Sequence, residues 1–179
     1  MKKFAIILIS FFIAFPAGAD TPKADEPSYT LKLKDGTVKI SLPQGWVQYK
    51  PEEAVGKPSA VFIRRKSDGV IEGTLVVGIN YLGDNAPCGT KKFQTDYLNK
   101  LKEGSAAVDT AASFEDMELL SAPALVINHM GKAKTKDIRE LHFVKDCRWY
   151  QINFIFERDG FDASWQEIYM DIEKIEFVP

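Results

Sequence analysis

The chain has 179 residues, of which 45% are hydrophobic and 27% charged, and a formal net charge of −2. That composition is globular, not disordered. Mild acidity without a basic run speaks against nucleic acid as a partner, since clustered Lys and Arg supply most of that affinity.

The N-terminus is the most informative stretch. Lys2 and Lys3 precede an almost unbroken apolar run from Phe4 to Phe15, followed by Pro16 and the small residues Ala17, Gly18 and Ala19. This pattern predicts a signal peptide over residues 1–19, cut between Ala19 and Asp20. The run is shorter than the roughly 20 apolar residues a membrane span needs, and no cysteine near the cut offers a lipid site. The expected product, residues 20–179, is periplasmic or secreted and has no transmembrane segment. Its net charge is −4, because two lysines leave with the leader. Residues 20–28 are polar with two prolines and read as a flexible segment, leaving 29–179 as one domain, long enough to bury a sizeable core.

The only cysteines are Cys88 and Cys147. In an oxidising compartment an isolated pair predicts a structural disulfide. Metal binding would need closer spacing and further ligands, and redox chemistry would need C-x-x-C.

Taken in chain order, Tyr29–Lys34 and Thr37–Leu42 alternate apolar with polar around Asp35-Gly36, predicting a two-residue hairpin. Pro43 ends the second strand because proline cannot donate to a ladder. Residues 51–58 read as a loop with a brief helical turn at Glu52–Ala54. Ala60–Arg65 and Val70–Leu82 form a second antiparallel pair, the latter nearly continuous in apolar residues and so expected to be buried centrally. Thr90 is placed to cap a helix running to Glu103 and stopped by Gly104, with Phe93, Tyr97, Leu98 and Leu101 as its apolar stripe. Residues 105–113 read as a loop.

Phe114–Ser121, Ala124–Met130, Asp137–Lys145 and Cys147–Arg158 read as four further strands. In the last, Tyr150, Ile152, Phe154 and Phe156 share one face. Asp162 or Ser164 is expected to cap a final helix bearing Trp165, Ile168, Tyr169 and Ile172, and Ile175–Val178 make a short strand or packed tail. Strand pairs interrupted by one helix and finished by another predict an α+β domain: an antiparallel sheet covered by amphipathic helices and the N-terminal hairpin.

Chemistry is sparse. His129 and His142 are the only histidines, and no H-x-x-x-H or Cys/His cluster accompanies them, so exposed or hydrogen-bonded strand histidines are expected and no metal site. There is no G-x-S-x-G, S-x-x-K or H-E-x-x-H, and Ser121 and Ser164 have no nucleophile context. Glu52-Glu53, Glu115-Asp116 and Asp171 with Glu173 read as solvated carboxylates, not a glycosidase pair. Gly78, inside a strand, suggests a bulge or close packing. Arg64-Arg65-Lys66 and Lys132–Lys136 read as solvated hairpin tips. Trp46, Trp149 and Trp165 suggest packing residues.

The stretch Val38-Lys39-Ile40-Ser41-Leu42-Pro43-Gln44-Gly45-Trp46 resembles the opening of the PsbP/DcrB-like superfamily, in which a β-hairpin ends in an apolar-x-apolar-Pro-x-Gly-Trp turn. The order of strands and helices is similar over nearly the whole chain after the leader. The resemblance implies an αβα sandwich that is non-catalytic, with an accessory, chaperone-like or protein-binding role, no cofactor and no shared active site. The functional expectation is therefore an accessory domain, chaperone-like or of the inhibitor or immunity type, bound to another envelope or secreted protein. The rival is a periplasmic carrier holding a small molecule or lipid between sheet and helix. A hydrolase would need His129 or His142 within reach of both a carboxylate and a nucleophile.

Overall fold

The computed structural model describes residues 27–33, 36–49, 59–83, 86–129 and 135–178. Among these residues ten strands and two helices follow one another as β1 (Ser28–Lys32), β2 (Thr37–Ser41), β3 (Trp46–Gln48), β4 (Ser59–Arg65), β5 (Ile71–Tyr81), α1 (Lys91–Val108), β6 (Ser113–Leu119), β7 (Ala122–His129), β8 (Lys136–Lys145), β9 (Arg148–Glu157), α2 (Phe161–Ile172) and β10 (Glu176–Val178). Seven strands form one antiparallel sheet in the order β3-β4-β5-β9-β8-β7-β6, and β1, β2 and β10 form a small second sheet. The architecture is α+β, as the pattern of elements predicts.

One face of the large sheet carries the main core. Phe62, Leu75, Val77, Ile79, Tyr150, Ile152, Phe154 and Phe156 meet Phe161, Trp165, Ile168 and Ile172 of α2, together with Leu31, Val38 and Ile40 of the small sheet. The alternation in β9 is realised residue by residue, buried at Tyr150, Ile152, Phe154 and Phe156. The opposite face is covered by α1 over β7 and β8, where Leu98 packs on Leu125 and Ile127. The continuous apolar run of β5 is thus buried on one face only. Gly73, Leu75, Val77 and Ile79 are buried, whereas Thr74, Val76 and Gly78 are half-buried.

The P-x-G-W turn moves the chain from one sheet to the other. Gly45 takes a φ of 94°, which favours glycine, and the turn drops Trp46 into the core at 1% exposure. Trp46 then opens β3, a strand the sequence patterning does not show. The hairpin before it turns one residue earlier than expected: Lys32 opposes Thr37 and the Leu33 N–H donates to the Gly36 carbonyl at 2.8 Å, and Lys34 and Asp35 lie outside the described residues. So do the leader with its cut after Ala19, the helical turn at Glu52–Ala54, and Lys132–Lys134. Ser28, grouped in sequence with the flexible segment, is already in β1.

Two further boundaries differ. Helix α1 runs through Gly104 to Val108, and Asp109 is its C-cap, its backbone N–H bonding to the Ser105 carbonyl. The cap at Thr90 is as expected, accepting from the Phe93 N–H. Helix α2 begins after Gly160, which has no side chain to cap with, so neither Asp162 nor Ser164 plays that part. The β6–β7 and β8–β9 hairpins are closed by Leu120-Ser121 and Asp146-Cys147, with both residues of each pair at positive φ, from 50° to 62°, the geometry of tight two-residue hairpins.

Gly73, and not Gly78, marks the close approach. A Cβ at Gly73 would collide with Phe156 Cδ2 and lie 2.9 Å from Trp46 Cη2, whereas one at Gly78 has only ordinary contacts. The register shift falls elsewhere, between Arg64 and Arg65. Gly73→Ala is therefore expected to cost about 1–3 kcal/mol by overpacking, while Gly78→Ala leaves the melting temperature nearly unchanged. Thermal melts of the two variants check the contrast.

Candidate functional site

A chain of four ionisable side chains lies under the C-terminal half of α1. Strand alternation puts Glu140 and His142 of β8 on one face, and the β7–β8 register sets His129 opposite Ile138, diagonal to Glu140. The end of α1 brings Asp109 down onto the end of β7. His129 Nδ1 is 2.6 Å from Asp109 Oδ2, and its Nε2 is 3.4 Å from Glu140 Oε1. The other Glu140 oxygen is 3.0 Å from His142 Nε2. Beneath them the His142 ring stacks on Trp149, which in turn meets the edge of Tyr97.

His142 is 2% exposed, so of the two sequence expectations the hydrogen-bonded histidine holds and the exposed one does not. It lies on the face of β8 that α1 covers. A carboxylate only accepts, so His142 donates its Nε2 proton to Glu140. That hydrogen bond, with the nearby His129, holds the Glu140 carboxyl below its usual range against the opposing effect of burial. A depressed carboxyl stabilises the fold above its unfolded value and loses that contribution as pH falls through the folded one. Glu140→Gln is expected to cost about 1–2 kcal/mol near neutral pH. The gap from the parent chain should narrow below pH 4.5, the ordinary glutamate value, as read by thermal melts across that range.

A surface cleft of about 400 Å³ opens beside this chain, lined by Lys100, Leu101, Ser105, Val108, His129 and Glu140. The first hydrolase requirement is met, since both histidines reach carboxylates. The second is not. Both nitrogens of His129 face carboxylates, His142 Nδ1 is buried without a partner among the described residues, and no described hydroxyl hydrogen-bonds either ring. Among the described residues no three His, Cys, Asp or Glu side chains are grouped to hold a metal ion.

The other sequence candidates are dispersed. Cys88 and Cys147 form a disulfide, with Cα atoms 5.1 Å apart. Glu115 and Asp116 point to opposite faces of β6, and Asp171 is buried against Lys174 at 2.6 Å. Arg64 pairs with Glu72 and Glu167, and Lys66 lies against Glu157, while Arg65 donates to the Gly69 carbonyl at 2.7 Å. Trp46 and Trp165 both pack around Phe154.

No family model matches this chain, and no curated protein does. Solved structures do. The chain is similar to the cyanobacterial PsbP of Synechocystis, with 13% identity and a TM-score of 0.53 over 92% of this chain and all of that one. The fold is PsbP-like. A protein of Bacteroides thetaiotaomicron is similar at 14% identity and a TM-score of 0.50, over 79% of this chain. This chain spans 45% of that protein's length. The yeast Ran-binding protein Mog1p aligns at 11% identity with a TM-score of 0.47, over 82% of this chain and 94% of its own.

Within this PsbP-like fold, α1 is fixed at both ends. The disulfide ties the loop before it to the β8–β9 turn, and the Gln94 side chain donates to the Cys88 carbonyl at 3.0 Å. At the far end, Asp109 holds His129. The residues that sequence reasoning missed are Asp109 and Glu140. Glu140 was within reach through its two-residue spacing from His142, but Asp109 was hidden by the helix end wrongly placed at Gly104. Among the described residues no helix is long and apolar enough to cross a membrane.

Proposed function

We propose that the chain is an exported, non-catalytic binding module, an accessory domain for another protein of the envelope or secreted space. The observation that carries this reading is the closed polar chain Asp109–His129–Glu140–His142. Its members hold one another and lock α1 to the sheet, which is the work of a structural clamp and not of a proton shuttle. The leader-like pattern of residues 1–19, the disulfide and the PsbP-like fold support export and an accessory role. A chaperone-like and an inhibitor-type module are both versions of this reading, and the partner separates them.

The carrier reading needs an apolar cavity between sheet and helix. That space is filled by Phe154, Phe161, Trp165 and Ile168 on one face, and by Leu98, Leu125 and Ile127 on the other. The test is capture by the tagged chain 20–179 from envelope and secreted fractions, read by mass spectrometry. One stoichiometric protein partner is the expected result, retained by Glu140→Gln below its melting temperature. A protein blank, with a small molecule seen by native mass spectrometry, would overturn it in favour of the carrier.

A further inference from the structure

The large sheet ends at β6, and no described strand pairs with its outer edge. Such an edge presents a row of backbone donors and acceptors to an incoming strand. Its side-chain charge has a single sign: Ser113–Leu119 carries Glu115, Asp116 and Glu118 and no basic residue. On the α1 side, Asp116 and Glu118 meet Lys102 at 2.7 Å and Lys91 at 3.8 Å. Glu115 lies on the other side, where no described Lys or Arg forms an ion pair with it.

Beside Glu115 is a cleft of about 200 Å³ between the outer strands and α2, walled by Met117, Val126, Trp165 and Tyr169. Arg139 also lines it, but its guanidinium is already engaged. It donates to Asn128 at 2.5 Å and Asp162 at 3.3 Å, and lies 5.1 Å from the Phe161 and Trp165 ring centres. The Tyr169 hydroxyl is pushed above its ordinary value by burial, then by Glu173 and Glu115, so two carboxylates act on this side of the cleft. The result is a slot of mixed polar and apolar lining with Glu115 at its rim, adjacent to a sheet edge that no described strand covers.

We propose that the β6 edge receives a basic, extended segment of a partner protein by strand addition, with one Lys or Arg side chain entering the cleft beside Glu115. Ladder bonds to β6 would supply affinity, and pockets for alternate side chains supply choice. The methylene stem of a long basic residue suits Met117, Val126 and Trp165 while its charged head reaches Glu115. A second copy of β6 is disfavoured here, since like charges would face each other across the new pair. This rests on the binding-module reading and names the chemistry of its partner.

The test uses a short fluorescent peptide of alternating lysine and valine, titrated into the chain 20–179 by anisotropy. Two control peptides accompany it: one with glutamate in place of lysine, and one with alternate backbone amides N-methylated. The basic peptide is expected to bind about tenfold or more tighter than either control, with amide shifts by NMR confined to Ser113–Leu119 and the Trp165 region. Glu115→Lys should weaken it by a similar factor without changing the melting temperature, because Glu115 is exposed. Equal binding of the N-methylated peptide, shifts centred elsewhere, no binding, or a wild-type dimer joined through β6 would each overturn the proposal. Undiminished partner capture by a Glu115→Lys, Glu118→Lys variant would overturn it too, while leaving the binding-module reading standing. Failure of the wild-type chain to capture any partner would remove that wider reading instead.

Discussion

Phe154→Ala is expected to lower the melting temperature by roughly 10–15 °C, through a loss of about 3–5 kcal/mol. Phe154 is fully buried in β9, which pairs with β5 on one side and β8 on the other. Its ring centre lies 5.1 Å from Phe161, 5.6 Å from Phe156, 5.7 Å from Trp165 and 6.1 Å from Trp46. These rings come from the P-x-G-W turn, the last strand of the large sheet and α2, so truncation opens a cavity where three elements converge. Strands and helix are held rigidly around it, which limits collapse into the gap. Each tilted or offset ring pair adds about 0.5–1.5 kcal/mol beyond area burial. Phe154→Leu, which keeps most of the volume, should recover a large part of the loss. Denaturant melts check both, and a midpoint for Phe154→Ala close to that of the parent chain would show that the aromatic cluster is not the core of the fold.

What the sequence made legible follows from the range of each interaction. The two-residue period of β9 survives because both sheet neighbours and α2 press on the same four side chains. The Val38–Trp46 stretch reads correctly as a resemblance because a turn needs only local geometry, with Gly45 at positive φ. The pairing of Cys88 with Cys147 needs no geometry at all when only two cysteines exist. By contrast, the extension of α1 past Gly104 depends on Asp109 meeting His129, twenty residues further along the chain. Local propensity saw a glycine stop, and a tertiary contact overrode it.

The candidate site was half legible for the same reason. Glu140 and His142 share a face by alternation alone, whereas His129 joins them only through the β7–β8 register. The position of β6 at the edge of the described sheet was invisible, because sheet order is not written in any one strand. Strand β3, three residues long, carries too little pattern to be read, although its first residue is the most conspicuous of the motif. Strand β5 lies inside the sheet between β4 and β9, as its apolar run predicts, but it is buried on one face only, because α1 packs chiefly over β7 and β8.

Removing the Cys88–Cys147 disulfide is expected to have a comparable effect, and one that bears on the site. The bridge joins residues 59 apart, and the chain-entropy model assigns a loop of that size about 4 kcal/mol against the unfolded state. A Cys88→Ala, Cys147→Ala chain should therefore melt roughly 10–15 °C lower. Alanine is the suitable replacement because Cys88 is fully buried and a serine hydroxyl there would need a partner. The loss should be uneven along the molecule. The bridge secures the N-terminal end of α1, whereas Asp109 and His129 secure its C-terminal end. Hydrogen exchange in the folded double variant should accelerate first in residues 91–98, with residues 105–109 still protected. Combining the variant with Asp109→Ala, which removes the 2.6 Å contact to His129, should then expose the whole helix, because neither end retains its fastening. Uniform exchange along α1 in the double-cysteine variant alone would mean that the bridge acts only on the unfolded chain. Preferential loss at the first turns would make α1 a cover fastened at two points, with the covalent one depending on the redox state of the compartment.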